Sequence, residues 1–257
     1  MHPVIMDGMI VGAAQIAVRA GDVAGNAALH LRYAEAAAAG GARLLVFPEL
    51  SLMGYELGVA REHVVDPSAA VLDALREVAA RSAMHIVVGA PLAGPDGGLH
   101  IGAIVLRADG GVSTYRKVHV HASELGVFAP GPGGDDLRMG QASVALAICA
   151  DASQPQHAAE AAGRGAAVYA VGAMIDEGAY ARKSALLEGY ARGHGMAVLL
   201  ANYAGETGGE VSGGRSAVWR EDGGVVAMAQ GREPALVVAL AENGVWRGFV
   251  QPMVGCL

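Results

Sequence analysis

The chain has 257 residues, of which 53% are hydrophobic and only 17% charged, and its formal net charge is −7. That length and composition suit one large α/β or sandwich domain with a sizeable core. The acidic balance argues against a nucleic-acid partner, which needs a basic face. The two cysteines, Cys149 and Cys256, make neither a disulfide framework nor a CxxC metal site.

In chain order, residues 1–8 read as an extension before the first strand. They lack the basic start of a secretory signal, and no apolar run reaches the length of a membrane span. A reducing, cytoplasmic setting is therefore expected, with no membrane association. The stretch 9–18 is a short apolar strand and 25–41 a helix stopped by Gly40 and Gly41. Residues 42–50 form a buried strand ending at Pro48–Glu49. Residues 66–82 form a helix, with Asp66 as N-cap and Pro67 in the first turn. Strands follow at 85–91, 100–107 and 111–118, the last two joined across the hairpin signal Asp109–Gly110–Gly111. A strand–helix–strand unit covers 142–149, about 154–163 and 166–174, and a longer helix about 178–194. Three strands then lead to 235–240, which closes the core. Helices alternating with strands and hairpins point to α/β layers built on mixed sheets.

Three of these strands end in a reactive or ionisable residue. Cys149 sits in "LAICADASQP", at the tip of an apolar run and just before a turn. A free cysteine is most often a small buried hydrophobe, but this placement also suits a nucleophile. Ser153 and Gln156 have capping-box spacing, so the next helix begins after the thiol. A thiol with pKa near 8.5 is only about 3% thiolate at neutral pH, so it needs a base. Glu49, at the end of "LLVFPEL", is either a solvated strand end or a desolvated carboxylate that can exchange that proton. Lys117, at the end of "VSTYRK", is either an ordinary exposed lysine or a fixed cation for an oxyanion. His119 and His121 alternate on a strand-like stretch. No acid–histidine cluster accompanies them, which favours a structural role over metal binding. The Gly-rich "GETGGEVSGGR" at 205–215 lacks the Lys-Ser/Thr of a phosphate loop and reads as a flexible turn near the site mouth. Tyr55 and Tyr203 either line the pocket or pack beside it, and Cys256 reads as an incidental thiol.

Taken together, "VFPELSLMGY", "YRKVHVHASELGVFAPG" and "AICAD" resemble, in this order, the three signature regions of the nitrilase superfamily of carbon–nitrogen hydrolases. The resemblance extends over most of the chain, through "AAQIAVRAGDVAGN", "VLLANYAG" and "GGRSAVW". It implies a four-layer α-β-β-α sandwich with mixed sheets, one domain over 1–257, paired as a homodimer. It implies Glu49 as general base, Cys149 as nucleophile and Lys117 as oxyanion stabiliser, with the Ala150 backbone N–H as second donor. Glu124, ahead of Phe128 and Pro130–Gly131, matches the family's further glutamate. The expected chemistry is hydrolysis of a small linear amide or carbamoyl compound through a thioester, releasing ammonia or an amine, with no metal and no cofactor. Two departures bear on the substrate. Ala150 stands where many members carry an aromatic residue and true nitrilases carry Trp–Glu, which disfavours nitrile chemistry. "AVGAM", ending at Met174, replaces a pocket-bordering strand end that usually carries proline and a polar residue. Met174, Tyr55 and Tyr203 are therefore the candidate substrate-binding positions. A nitrilase proper and a non-catalytic binding member of the same fold are the alternatives.

Overall fold

The computed structural model describes residues 8–95 and 97–253. Its first half runs β1 (Met9–Gln15), α1 (Val23–Ala39), β2 (Leu44–Val46), α2 (Asp73–Arg81), β3 (His85–Ala93), β4 (Leu99–Leu106), β5 (Val112–Arg116) and β6 (Leu137–Met139). Then come β7 (Ala142–Ile148), α3 (Pro155–Gly163), β8 (Val168–Gly172), α4 (Glu177–His194) and β9 (Ala197–Ala201). The chain continues through β10 (Glu206–Thr207), β11 (Glu210–Val211), β12 (Ala217–Trp219), β13 (Val225–Met228), β14 (Ala235–Glu242) and β15 (Val245–Pro252).

Two sheets stack on each other. One has seven strands in the order β15-β14-β1-β2-β3-β4-β5, the other six in the order β13-β12-β9-β8-β7-β6. In each sheet three strands at the centre are parallel, β1-β2-β3 and β7-β8-β9, and antiparallel strands flank them. Side-chain alternation sorts each strand into layers. On β7, Val144, Leu146 and Ile148 enter the core between the sheets. Ala145 and Ala147 face the other way, against Ala158 of α3 and Leu187 of α4. On β2, Leu44 and Val46 point inward. Leu45 packs outward against Tyr33 of α1 and Val78 of α2. The result is the expected α-β-β-α sandwich.

Several local expectations need correction. The helix expected over 66–82 begins only at Asp73. Asp66 does not cap it, because its Oδ1 accepts from Ser68 N at 2.7 Å and closes a turn instead. Likewise Ser153 caps nothing. α3 opens with Pro155 in its first turn and Gln154 before it, and no side chain caps it. Residues 118–121, expected as strand, are bends and coil. The core is closed not by β14 but by an additional strand, β15, paired to it over eight residue positions. β15 is an exposed to half-buried strand that touches the core through Trp246 and Val250, so its sequence carries little apolar alternation and backbone pairing to β14 does most to place it. The Gly-rich segment at 205–215 contains the small β10–β11 hairpin. Met1–Asp7 and Cys256 lie outside the described residues.

Candidate active site

Glu49, Lys117 and Cys149 each lie just beyond a strand, after β2, β5 and β7 respectively. Two glycines let these exits converge. A Cβ on Gly89 of β3 would sit 2.3 Å from Pro48 O, and one on Gly172 of β8 would sit 2.6 Å from Phe47 O. The segment leading to Glu49 therefore presses against both sheets, in space that only hydrogen leaves free.

The Glu49 segment is held from behind. Tyr203, fully buried, donates its hydroxyl to Glu49 O at 2.6 Å. Next along, Ser51 Oγ meets His30 Nε2 at 2.8 Å and accepts from Gly89 N at 3.2 Å. His30 Nδ1 lies 2.6 Å from Asn26 O, a pure acceptor, so Nδ1 carries the proton and Nε2 accepts from Ser51. Burial holds His30 down to about 4, so the ring stays neutral. Leu50 has φ 54° and Cys149 φ 43°, both left-handed. Such backbone costs a non-glycine residue about 1–2 kcal/mol, and here it occurs at or beside the two reactive groups.

Lys117 and Glu124 are fully buried, and Glu49 is 1% exposed. Lys117 Nζ donates to Glu49 Oε1 at 2.6 Å and to both oxygens of Glu124 at 2.8 Å. Glu124 also accepts from the Tyr55 hydroxyl at 2.5 Å and from His121 N at 2.7 Å. Its loop is pinned to the strands by Gly131 N donating to Lys117 O and Ala129 N donating to Leu99 O. Two carboxylates thus share one ammonium. Burial raises Glu49 to about 7. Lys117 opposes that rise, and Glu124 adds to it. Burial disfavours the Lys117 ammonium, but Glu49, Cys149 and Glu124 outweigh it and shift the group upward, so it stays charged. Among the described residues no hydrogen bond of normal geometry reaches the buried Glu49 Oε2, and the Cys149 thiol is near enough to act on this carboxyl, which leaves an acceptor open for its proton.

Cys149 opens a 3-10 turn, Cys149–Ser153, and not an α-helix. It lines a cavity of about 530 Å³ together with Tyr55, His121, Ala150, Met174 and Lys183. Its Sγ lies 3.7 Å from Met174 O. Burial pushes the thiol well above its ordinary range. Glu49 and Glu124 push the same way, and Lys117 and Lys183 pull against them. Burial thus disfavours a free thiolate, so any attack by this sulfur would need coupled proton transfer. Of the candidate substrate-binding positions, Tyr55 and Met174 reach the cavity. Tyr203 does not, because it is spent on the Glu49 backbone. A cleft of about 460 Å³ at the opposite ends of the strands is lined by Arg43, His85, Arg107 and Arg138, and has no part in this arrangement.

A family model described as carbon–nitrogen hydrolase matches residues 10–246. The chain belongs to that family. Among solved structures, it is similar to the amidase from Nesterenkonia sp. AN1, of the nitrilase superfamily. One such structure, a variant in complex with butyramide, superposes with TM-score 0.80 at 28% identity, covering 91% of this chain and 92% of that one. Another shows acrylamide added to the active-site cysteine, with TM-score 0.80 at 28% identity over 90% and 92% of the two chains. By sequence, the chain is 29% identical to a glutamine-dependent NAD(+) synthetase of Rhodobacter capsulatus, over 94% of this chain and 45% of that protein. It is 31% identical to an (R)-stereoselective amidase of Pseudomonas sp, over 61% and 57%. The chain spans about half the length of the curated relatives it matches.

For this family member, sequence reasoning missed Asp151. It is fully buried, two residues past the thiol. Its Oδ1 accepts from His119 N at 2.7 Å and Val118 N at 3.1 Å. Its Oδ2 accepts from Tyr115 Oη at 2.8 Å and Ile148 N at 3.0 Å. One carboxylate therefore ties the exit of β5, which carries Lys117, to the exit of β7, which carries Cys149. Tyr115 continues the chain to His157 Nε2 at 2.9 Å, and His157 Nδ1 meets Tyr169 Oη at 2.8 Å. His119 belongs to this network, with Nδ1 3.2 Å from Asp151 Oδ1, whereas His121 Nδ1 meets Ser123 Oγ. The two histidines thus take separate partners. An acid two residues after a strand-end thiol was the only sequence signal for Asp151.

Proposed function

We propose that this chain hydrolyses the C–N bond of a small linear amide through a Cys149 thioester. The observation that carries this reading is the dry Glu49–Lys117–Glu124 cluster with one unpaired carboxylate oxygen, set beside a strained cysteine that opens on a cavity. In this reading Glu49 takes the thiol proton as Sγ attacks the amide carbonyl. Lys117 and the Ala150 N–H stabilise the oxyanion. Glu49 returns the proton to the nitrogen, ammonia or an amine leaves, and the thioester remains. Water then attacks the thioester, giving one proton to Glu49 and finally to Sγ, and the carboxylic acid departs. A pKa of about 7 lets Glu49 act as base and acid in turn. Glu124 holds Lys117 and Tyr55 in place throughout. Tyr55 and Met174 border the acyl group. The butyramide and acrylamide bound by the Nesterenkonia amidase support a short acyl chain. Assembly as a homodimer belongs to the same proposal, with a dimer mass by light scattering as its check.

A second reading, in which the amide is the side chain of glutamine, draws on the alignment of 94% of this chain with a glutamine-dependent synthetase. One screen separates the readings. Ammonia release is measured from short aliphatic amides, glutamine, carbamoyl compounds and nitriles, with Cys149→Ala as blank. Ammonia from an aliphatic amide, abolished in the blank, is expected. Release from glutamine alone favours the second reading. Release from nitriles alone, or from nothing, overturns both.

A further inference from the structure

Charge around the thiol does not balance on Glu49, Lys117 and Glu124 alone. With both carboxylates ionised, the cluster carries one net negative charge before the thiol reacts. Moving the thiol proton to Glu49 leaves the Glu124 carboxylate, the Lys117 ammonium and a thiolate, again one net negative charge. Lys117 cannot turn fully to the sulfur, because its Nζ is already within 2.6–2.8 Å of three carboxylate oxygens. Creating an anion in such a buried, negative setting is costly unless another cation faces it.

Lys183 of α4 is placed to be that cation. It lines the cavity that Cys149 and Ala150 line. It also lines a small apolar void shared by Cys149, Val171 and Leu187. Its Nζ donates to Ser153 Oγ, and Ser153 ends the 3-10 turn that Cys149 begins. The partner is a hydroxyl, so no contacting carboxylate cancels the charge at that bond. The other ionisable groups on the cavity are His121, Asp176, Arg182 and Glu210. Asp176 Oδ1 is taken up by Ala179 N at the start of α4, and Arg182 and Glu210 are exposed. Of the other polar neighbours, Tyr55 gives its proton to Glu124, and Ser123 Oγ is paired with His121 Nδ1.

We propose that Lys183 is a positioning residue for the nucleophile: anchored on Ser153, its ammonium stabilises the Cys149 thiolate that Lys117 is too committed to stabilise alone. With Lys183 counted, the proton-transferred state of the site is neutral. The direction of its effect on the thiol, downward, agrees. The interaction is with the thiolate and not with a substrate group, so it acts on any electrophile that reaches the sulfur.

The proposal rests on Cys149 being the nucleophile, but its test needs no substrate. Iodoacetamide alkylates the protein, the thiolate displacing iodide to form an S–C bond, and the rate is followed from pH 5 to 10. Cys149→Ala supplies the background from other thiols. Lys183→Met keeps the stem and removes the charge. Its alkylation at pH 7 should slow about tenfold and the rising limb of its rate–pH curve should be displaced upward by about one pH unit, the effect of one unit of thiol pKa. Lys183→Arg keeps the charge and should stay within about threefold of the wild type. Circular dichroism confirms that each variant is folded. A Lys183→Met profile that overlays the wild type overturns the proposal. So does a folded Lys183→Arg as slow as Lys183→Met, since shape and not charge would then matter. If the hydrolysis screen fails and the alkylation shift appears, the proposed reaction is wrong and the role of Lys183 stands.

Discussion

Two buried polar clusters flank Cys149, and they differ in how completely they are satisfied. Around Asp151, both carboxylate oxygens accept two or more hydrogen bonds, from three backbone N–H groups, the Tyr115 hydroxyl and the His119 ring. Around Lys117, two carboxylates compete for one ammonium, and Glu49 Oε2 is left without a partner. A buried polar group without a partner costs roughly 1–3 kcal/mol, so the second cluster holds an unfavourable feature that the first avoids. The difference separates two jobs. The satisfied cluster fixes where the strand exits lie. The unsatisfied one leaves an acceptor open on a carboxyl raised to about 7, which the proposed reaction would use.

Four substitutions or measurements break or sharpen that contrast, given from the largest effect to the smallest. Glu49→Gln removes the open acceptor and keeps the shape. Turnover of whichever amide the screen identifies should fall by about 10²–10⁴-fold with the fold intact. Near wild-type turnover would remove Glu49 from the reaction. Glu124→Gln leaves Lys117 with one carboxylate, and its rate should drop by roughly 10²-fold or more, as for other general acid–base groups. A variant with unchanged turnover would return Glu124 to a packing role.

Asp151→Ala should act on stability before chemistry. It leaves several buried donors unpaired, so denaturant unfolding should show a loss of about 3 kcal/mol. A loss under about 0.5 kcal/mol, the level of an ordinary surface change, would contradict the scaffold role. The smallest effect is a pH slope. Glu49 is raised from 4.5 to about 7 in the fold. Between those values the native state holds a proton that the unfolded state has released. Its contribution to stability is therefore complete below pH about 4.5 and is lost as pH rises through about 7, with a slope of at most about 1.4 kcal/mol per pH unit. Glu49→Gln should flatten that part of the stability–pH curve. Parallel curves for wild type and variant would show that Glu49 does not titrate there.

Much of the architecture was legible in local pattern. Continuous apolar runs at 42–50, 142–149 and 166–174 mark buried strands within a few residues of chain. The order of the Glu49, Lys117 and Cys149 motifs pointed to the carbon–nitrogen hydrolase family before any contact was known. The glycine-punctuated turn at Asp109–Gly111 was legible for the same reason, since a positive φ at Gly110 is a property of one residue. What the tertiary structure alone decided are partnerships across distance. Asp151 meets the backbone of Val118 across 33 positions, Lys183 meets Ser153 across 30, and Tyr203 meets Glu49 across 154. No spacing rule links such pairs, because the separation is set by how the two sheets stack and not by the repeat of either strand. The same limit hid β15, whose place comes largely from backbone hydrogen bonds to β14 and from the close approach of Gly248 to Val226 O, neither of which leaves an apolar pattern in the sequence. Sequence periodicity reports which face a residue takes. The partner it finds there, and hence whether a buried charge is quenched or left ready to react, is settled only when the layers close.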